Sequence, residues 1–221
     1  DRSNFSRVVS TFGSLGSGTT NFNVPHQMKL DEKGNLYMTD SNNNRIKIHS
    51  QINLAHLKSF GTLGLGATSY HVPTGLSYND SFLTIANEGN FKLARIDSST
   101  FGFKFNVNTD FNMAAEASLV EDENNIYMAY NKISDQGVYY LDLILESRTK
   151  SDYGLINRLR VTPEFRTDFG TYSVVGNIAL RGRYIFVCFS DSRASGANYY
   201  IQKRLKKDFS LVKEYKTNQI I

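Results

Sequence analysis

One order of residues occurs twice near the start of the chain. Thr11-Phe12-Gly13-Ser14-Leu15-Gly16 leads to Phe22-Asn23-Val24-Pro25, then to Gly34-Asn35-Leu36-Tyr37-Met38-Thr39-Asp40 and Asn44-Arg45-Ile46-Lys47-Ile48, and Phe60-Gly61-Thr62-Leu63-Gly64 begins it again. A unit that recurs about every 45 residues marks stacked supersecondary modules. Apolar residues alternate with polar ones inside each unit, which is the pattern of half-buried strands. Four short antiparallel strands cannot bury both faces alone, so such units must stack. The predicted fold is all-β, a β-propeller of four-stranded antiparallel blades.

In the first unit His26–Leu30 alternates, Asp31-Glu32-Lys33-Gly34-Asn35 turns and Leu36–Thr39 returns. Arg45–His49 and Ala55–Phe60 complete the blade. The same plan predicts blades over residues 24–61, 72–107, 115–172 and 173–217, within a single domain spanning 1–221. Arg7–Phe12 precedes Gly13 as Lys58-Ser59-Phe60 precedes Gly61, so 6–13 is expected to be an orphan outer strand. With an outer strand at both ends, the expected ring is six-bladed with part of it missing from this chain. The alternative is a five-bladed ring in which the segment after Glu146 supplies extra strands. That segment, Glu146 to Tyr172, is longer than one strand and connector require, so a decorated loop or insertion is expected there.

Of 221 residues, no run approaches the roughly 18 apolar residues of a membrane span, and Asp1-Arg2-Ser3-Asn4 lacks the basic and apolar regions of a signal peptide. Cys188 is the sole cysteine, in an apolar strand, so it is expected to be a buried inert thiol. The formal charge of +4 permits an anionic partner. The densest basic run, Lys203-Arg204-Leu205-Lys206-Lys207, reads as a solvated outer strand and turn. The expected location is extracytoplasmic (periplasmic, surface or secreted), with the cytoplasm as the alternative.

The lead Phe12 to Gly16, Pro25 before an innermost strand, Gly34-Asn35-Leu36-Tyr37, and Asp40 with Asn44-Arg45-Ile46 resemble the NHL repeat, most clearly over 12–60. In the second unit Asn87 with Asn90 stands where Asp40 with Asn44-Arg45 stood, and after Phe101 only the patterning persists. The later, Tyr-rich part resembles divergent six-bladed propellers of bacterial surface and periplasmic proteins. The resemblance implies innermost strands lining a channel and top-face loops that bind partners. Members of that family most often bind proteins, sometimes RNA, and occasionally act as lyases or hydrolases.

Asp40 and Arg45 flank an Asn-rich hairpin and are expected to pair and cap it. A catalytic zinc would need about three ligands converging on the axis. His26 follows Pro25 and is the plausible axial histidine; His71 precedes Pro73, and His49 and His56 fall on outer strands. A calcium site would draw oxygens from several blades, with Asn87, Glu88, Glu116, Asn177 and Asp191 as candidates. Nothing resembles a nucleophile elbow, and Gly13–Gly18 joins strands instead of entering a helix, so it reads as a connector. RNA binding is not favoured: Tyr37, Phe82, Tyr127, Tyr139, Tyr184 and Phe186 lie within strands and are expected to pack between blades.

The reading is therefore a binding or scaffold propeller, more readily non-enzymatic than not, that presents loops to a protein, peptide or glycan. The alternative is a metal-dependent hydrolase or lyase at the channel, with calcium or zinc. The expected site is the channel mouth, at His26, Thr74, Asn87, Glu88, Glu116 and Asn177.

Overall fold

Ile46 and Ile48 alternate with Lys47, and Leu83 and Ile85 with Thr84, so each strand offers one greasy edge to a neighbour. In the computed structural model, residues 11–79, 81–109, 117–133, 141–161, 172–193 and 196–218 are described. The first blade runs β1 (Met28–Leu30), β2 (Asn35–Asp40), β3 (Arg45–Ser50) and β4 (His56–Phe60). The second is β5 (Pro73–Asn79), β6 (Phe82–Asn87), β7 (Lys92–Asp97) and β8 (Phe103–Asn108). The third is β9 (Ser118–Glu121), β10 (Asn125–Ile133), β11 (Leu141–Thr149) and β12 (Leu155–Arg160). The fourth is β13 (Tyr172–Arg181), β14 (Tyr184–Arg193), β15 (Gly196–Leu205) and β16 (Leu211–Thr217).

Within each blade the strands pair antiparallel in chain order, and one parallel pairing, Leu141 with Tyr172, joins the third and fourth blades. The fold is a β-propeller of four-stranded blades. Its core is a series of layers between blades. Tyr37, Ile46 and Ile48 meet Leu76, Leu83, Ile85, Ala94 and Ile96 between the first two. Ala86 and Leu93 meet Leu119, Ile126, Met128, Tyr130 and Ile144 in the next. Between the last two, Tyr127, Leu143 and Leu145 pack on Ile178, Ile185, Val187, Phe189 and Phe209. Each such aliphatic side chain contributes roughly 1.5–3 kcal/mol by leaving water, and all of that depends on the adjoining blade.

The blade count corrects the expectation. The described residues build four blades, not six. Of the orphan strand expected at 6–13, only 11–13 are described, and these are not a strand. The five-bladed alternative fails too, because Leu155–Arg160 pairs with β11 as the third blade's own outer strand. The rest of the expected insertion, 162–171, lies outside the described residues. Cys188 is half-buried, and burial pushes its thiol pKa up, so it is the less reactive neutral form that the fold favours. No helix among the described residues is long and apolar enough to cross a membrane.

Candidate functional site

Three turns per blade set the molecule's ends, those after the first and third strands at one and that after the second at the other. The turn between a blade's second and third strands lies at the same end as the connector that enters that blade, because Asn43 Nδ2 donates to the Gly16 carbonyl (2.8 Å) and Asn90 Nδ2 to the Gly64 carbonyl (2.8 Å). Asn44 and Phe91 close these turns in the left-handed region, at φ 55° and 53°. Asp40 pairs with Arg45 as expected, accepting from its Nε (2.7 Å), but it caps no backbone amide of the turn; its other donors are the Asn23 amide of the connector (2.7 Å) and the Asn43 side chain. Asn87 does the same work in the second blade, accepting from the His71 amide (2.8 Å) and donating to the Ser69 carbonyl (3.0 Å). Asn87 therefore faces the connector instead of the axis.

The axis itself is laced by a residue outside the expected set. Gln27 Oε1 accepts from the Leu76 amide (2.6 Å) and the Leu119 amide (3.2 Å), while its Nε2 donates to the Leu119 carbonyl (3.2 Å) and to Ser118 Oγ (3.3 Å). Ser118 Oγ donates to Asn177 Oδ1 (2.8 Å) and accepts from the Ile178 amide (3.2 Å). The innermost segments of all four blades are thus tied by two side chains. The signal in the sequence was position alone: Gln27 stands just after Pro25, where the innermost strand begins.

Of the expected site residues, the structure brings Asn177 into this axial network. Thr74 and Glu88 are buried together, Thr74 Oγ1 donating to Glu88 Oε1 and accepting from the Ala117 amide (3.3 Å). His26 is exposed at the start of the innermost segment, its amide donating to Thr39 Oγ1 (3.2 Å). Glu116 lies outside the described residues, as does the Asp191 side chain. Among the described residues no group of three or more His, Cys, Asp or Glu is placed to hold a metal ion. His49 and His56 sit on β3 and β4 as expected and pack edge to face, 5.3 Å between rings.

Among the polar residues of the connector end stand three strongly exposed leucines. Leu15 is 81% exposed, Leu63 67% and Leu65 79%. Their loops are braced: the Phe22 amide donates to the Ser14 carbonyl (2.8 Å), the Tyr70 amide to the Thr62 carbonyl (2.9 Å), and Leu15 pairs in a β-bridge with Phe22 as Leu63 does with Tyr70. The buried Lys47 Nζ donates to the carbonyls of Gly18 (2.9 Å), Thr19 (2.7 Å) and Asn21 (2.5 Å), against the Phe22 ring. Burial, and then the Arg45 guanidinium, hold this ammonium below the usual lysine pKa range.

This four-blade frame has solved counterparts. A hydrazine synthase chain from Kuenenia stuttgartiensis superposes over 90% of this chain at TM-score 0.59 and 9% identity. A quinohemoprotein alcohol dehydrogenase, ADHIIG from Pseudomonas putida HK5, superposes over 88% at TM-score 0.57 and 8% identity. Dihydro-heme d1 dehydrogenase NirN does so over 90% at TM-score 0.50 and 14% identity. All three likenesses are of fold. This chain spans 51%, 35% and 39% of those chains respectively. No family model and no curated protein matches the sequence.

Proposed function

We propose that this propeller is a binding scaffold whose connector end docks a protein or peptide partner through Leu15, Leu63 and Leu65. One observation carries the reading: two loops of like build hold three leucines at 67–81% exposure on braced backbone. A monomeric surface seldom keeps large apolar side chains on rigid, repeated projections without use, and ordered loops lose little entropy on binding. The apolar chemistry favours a protein or peptide over a glycan or RNA, and it is in keeping with the partner-binding role that the NHL resemblance implies. An extracytoplasmic location accompanies the reading as its expectation, and cell fractionation checks it.

The test uses Leu15→Ser, Leu63→Ser and Leu65→Ser together, immobilised beside the wild-type chain and exposed to extract of its own host. Equal melting temperatures with one protein retained by the wild type alone would support the reading. Identical retention by both would refute it.

A further inference from the structure

The opposite end of the molecule carries two equivalent clefts between blades, and they differ in a way that points to a ligand. The first, about 380 Å³, lies between the first and second blades; the other, about 650 Å³, lies between the third and fourth. Their floors match. Tyr37 donates to Asp31 (3.1 Å) in one, and Tyr127 donates to Asp122 (3.1 Å) in the other. Their walls also match in backbone. The Ser98 amide donates to the Ser81 carbonyl (2.8 Å) as the Lys206 amide donates to the Arg183 carbonyl (3.0 Å), and Phe101 and Phe209 close the two turns at φ 57° and 58°.

Ser81, Ser98 and Ser99 of the smaller cleft are Arg183, Lys206 and Lys207 in the larger. Tyr78, which stacks on Tyr37 at 5.9 Å and helps fill the smaller cleft, has Leu180 as its counterpart by register. Ile48, paired across from Tyr37, corresponds to Ser147, paired across from Tyr127. The charge exchange is partial, because Lys33 and Lys58 line the smaller cleft and neither has a cationic counterpart in the larger, where Asn157 stands in the place of Lys58.

Ser147 is the decisive residue. It is 1% exposed, it lines the larger cleft, and its Oγ has no hydrogen-bond partner. A buried hydroxyl left unpaired costs free energy, so a polar ligand atom arriving there would be rewarded. Around it the cleft offers Asn157, the Tyr127 and Tyr184 rings, and three cations. Lys206 is matched to Asp122 at 2.6 Å and Lys207 lies 3.7 Å from Asp208, while Arg183 Nε donates to Tyr184 Oη (3.1 Å). Lys203 Nζ lies 3.9 Å from the Tyr184 ring centroid, and Lys150 Nζ reaches the Asp122 carbonyl (3.2 Å). The lining thus holds three cations against one carboxylate. Tyr184 is a half-exposed wall of this cleft, not the inter-blade packing residue that its strand position predicts.

We propose that the cleft between the third and fourth blades binds a sugar carrying a phosphate or sulfate ester. Arg183 and Lys207 hold the ester group, Ser147 Oγ and the Asn157 side-chain carbonyl meet hydroxyls, and Tyr184 walls one side of the sugar above the buried Tyr127 floor. A volume of about 650 Å³ suits a mono- or disaccharide. The basic run singled out in the sequence divides accordingly. Arg204 turns inward to Gln202 (2.7 Å) and the Phe209 carbonyl (2.7 Å), and Lys206 and Lys207 line the cleft.

Titration calorimetry of the full chain with glucose 6-phosphate, glucose 6-sulfate, glucose and inorganic phosphate tests this, the two esters distinguishing phosphate from sulfate as the natural group. At least one ester should bind, with glucose and inorganic phosphate each at least ~10-fold weaker, since each supplies only half of the contacts. Arg183→Ser with Lys207→Ser restores the serines of the smaller cleft at exposed positions and should weaken the ester ~10-fold or more. Ser147→Ile installs the smaller cleft's residue and should abolish binding; if that variant does not fold, the double serine variant decides. No heat from either ester, or equal affinity for ester and inorganic phosphate, or an affinity untouched by the serine variant, overturns the proposal.

Discussion

At the residue scale, Gln27 joins three blades at the axis through a single side chain. Gln27→Ala would strip partners from the Leu76 amide and from both backbone groups of Leu119. A loss of about 1–3 kcal/mol is expected, because buried backbone groups left unpaired carry a desolvation penalty, and urea denaturation measures it. Asp31 and Asp122 behave alike at the other end. Burial raises each carboxyl's pKa, but hydrogen bonds from Asn35, Tyr37 and Lys33 around Asp31, and from Lys206, Asn125 and Asn124 around Asp122, outweigh it and leave both lowered. A lowered carboxyl pKa stabilises the folded state above the unfolded value of about 4 and ceases to do so as pH falls through the folded value. Denaturation series between neutral pH and pH ~3 should therefore show falling stability, with a shallower fall in Asp122→Asn. An equally steep fall would remove Asp122 from the account.

At the element scale, blades stand or fall with their neighbours. Ile85 is fully buried between the first and second blades, and Ile85→Ala should cost about 2–5 kcal/mol as a core truncation. Gly61 sits at φ +97°, and a Cβ there would lie 2.2 Å from the Tyr70 ring. Gly61→Ala should therefore destabilise the connector by about 1–3 kcal/mol through strain, with thermal melting as the check. Much of this level was legible in the sequence. Alternation in Leu36–Thr39 and Phe82–Ala86, together with Gly34 at its turn, places strands and hairpins where the structure has them, because period and turn chemistry are local properties. The axial site was less legible. Asn177 takes part in the axial hydrogen bonds, whereas Asn87 grips a connector. Gln27 was passed over because an amide near a strand start carries no chemical signature. The matching of Ser81 with Arg183 was hidden for another reason: it appears only once the blades are superposed by their hydrogen bonds.

At the scale of the whole molecule, four blades share inter-blade cores and an axial lacing, so we expect one cooperative thermal transition from a single domain. Two resolved transitions would divide it. The count of blades was the poorest inference from sequence, since it extrapolated a ring from outer strands expected at both ends, the first of them at 6–13. In the proposed reading rigidity links fold to function: Asn43 and Asn90 brace the connectors, and the connectors hold leucines outward. The central claim is that this end is the docking face. Its most direct test places the photo-crosslinker p-benzoylphenylalanine at position 15, 63 or 65 in the native host, with position 52 as control. Ile52 is 90% exposed but belongs to the turn between β3 and β4, at the opposite end. A discrete adduct to one protein from the three connector positions, absent from position 52, is the predicted result. Adducts of equal pattern from both ends, or none from the connectors, would contradict it.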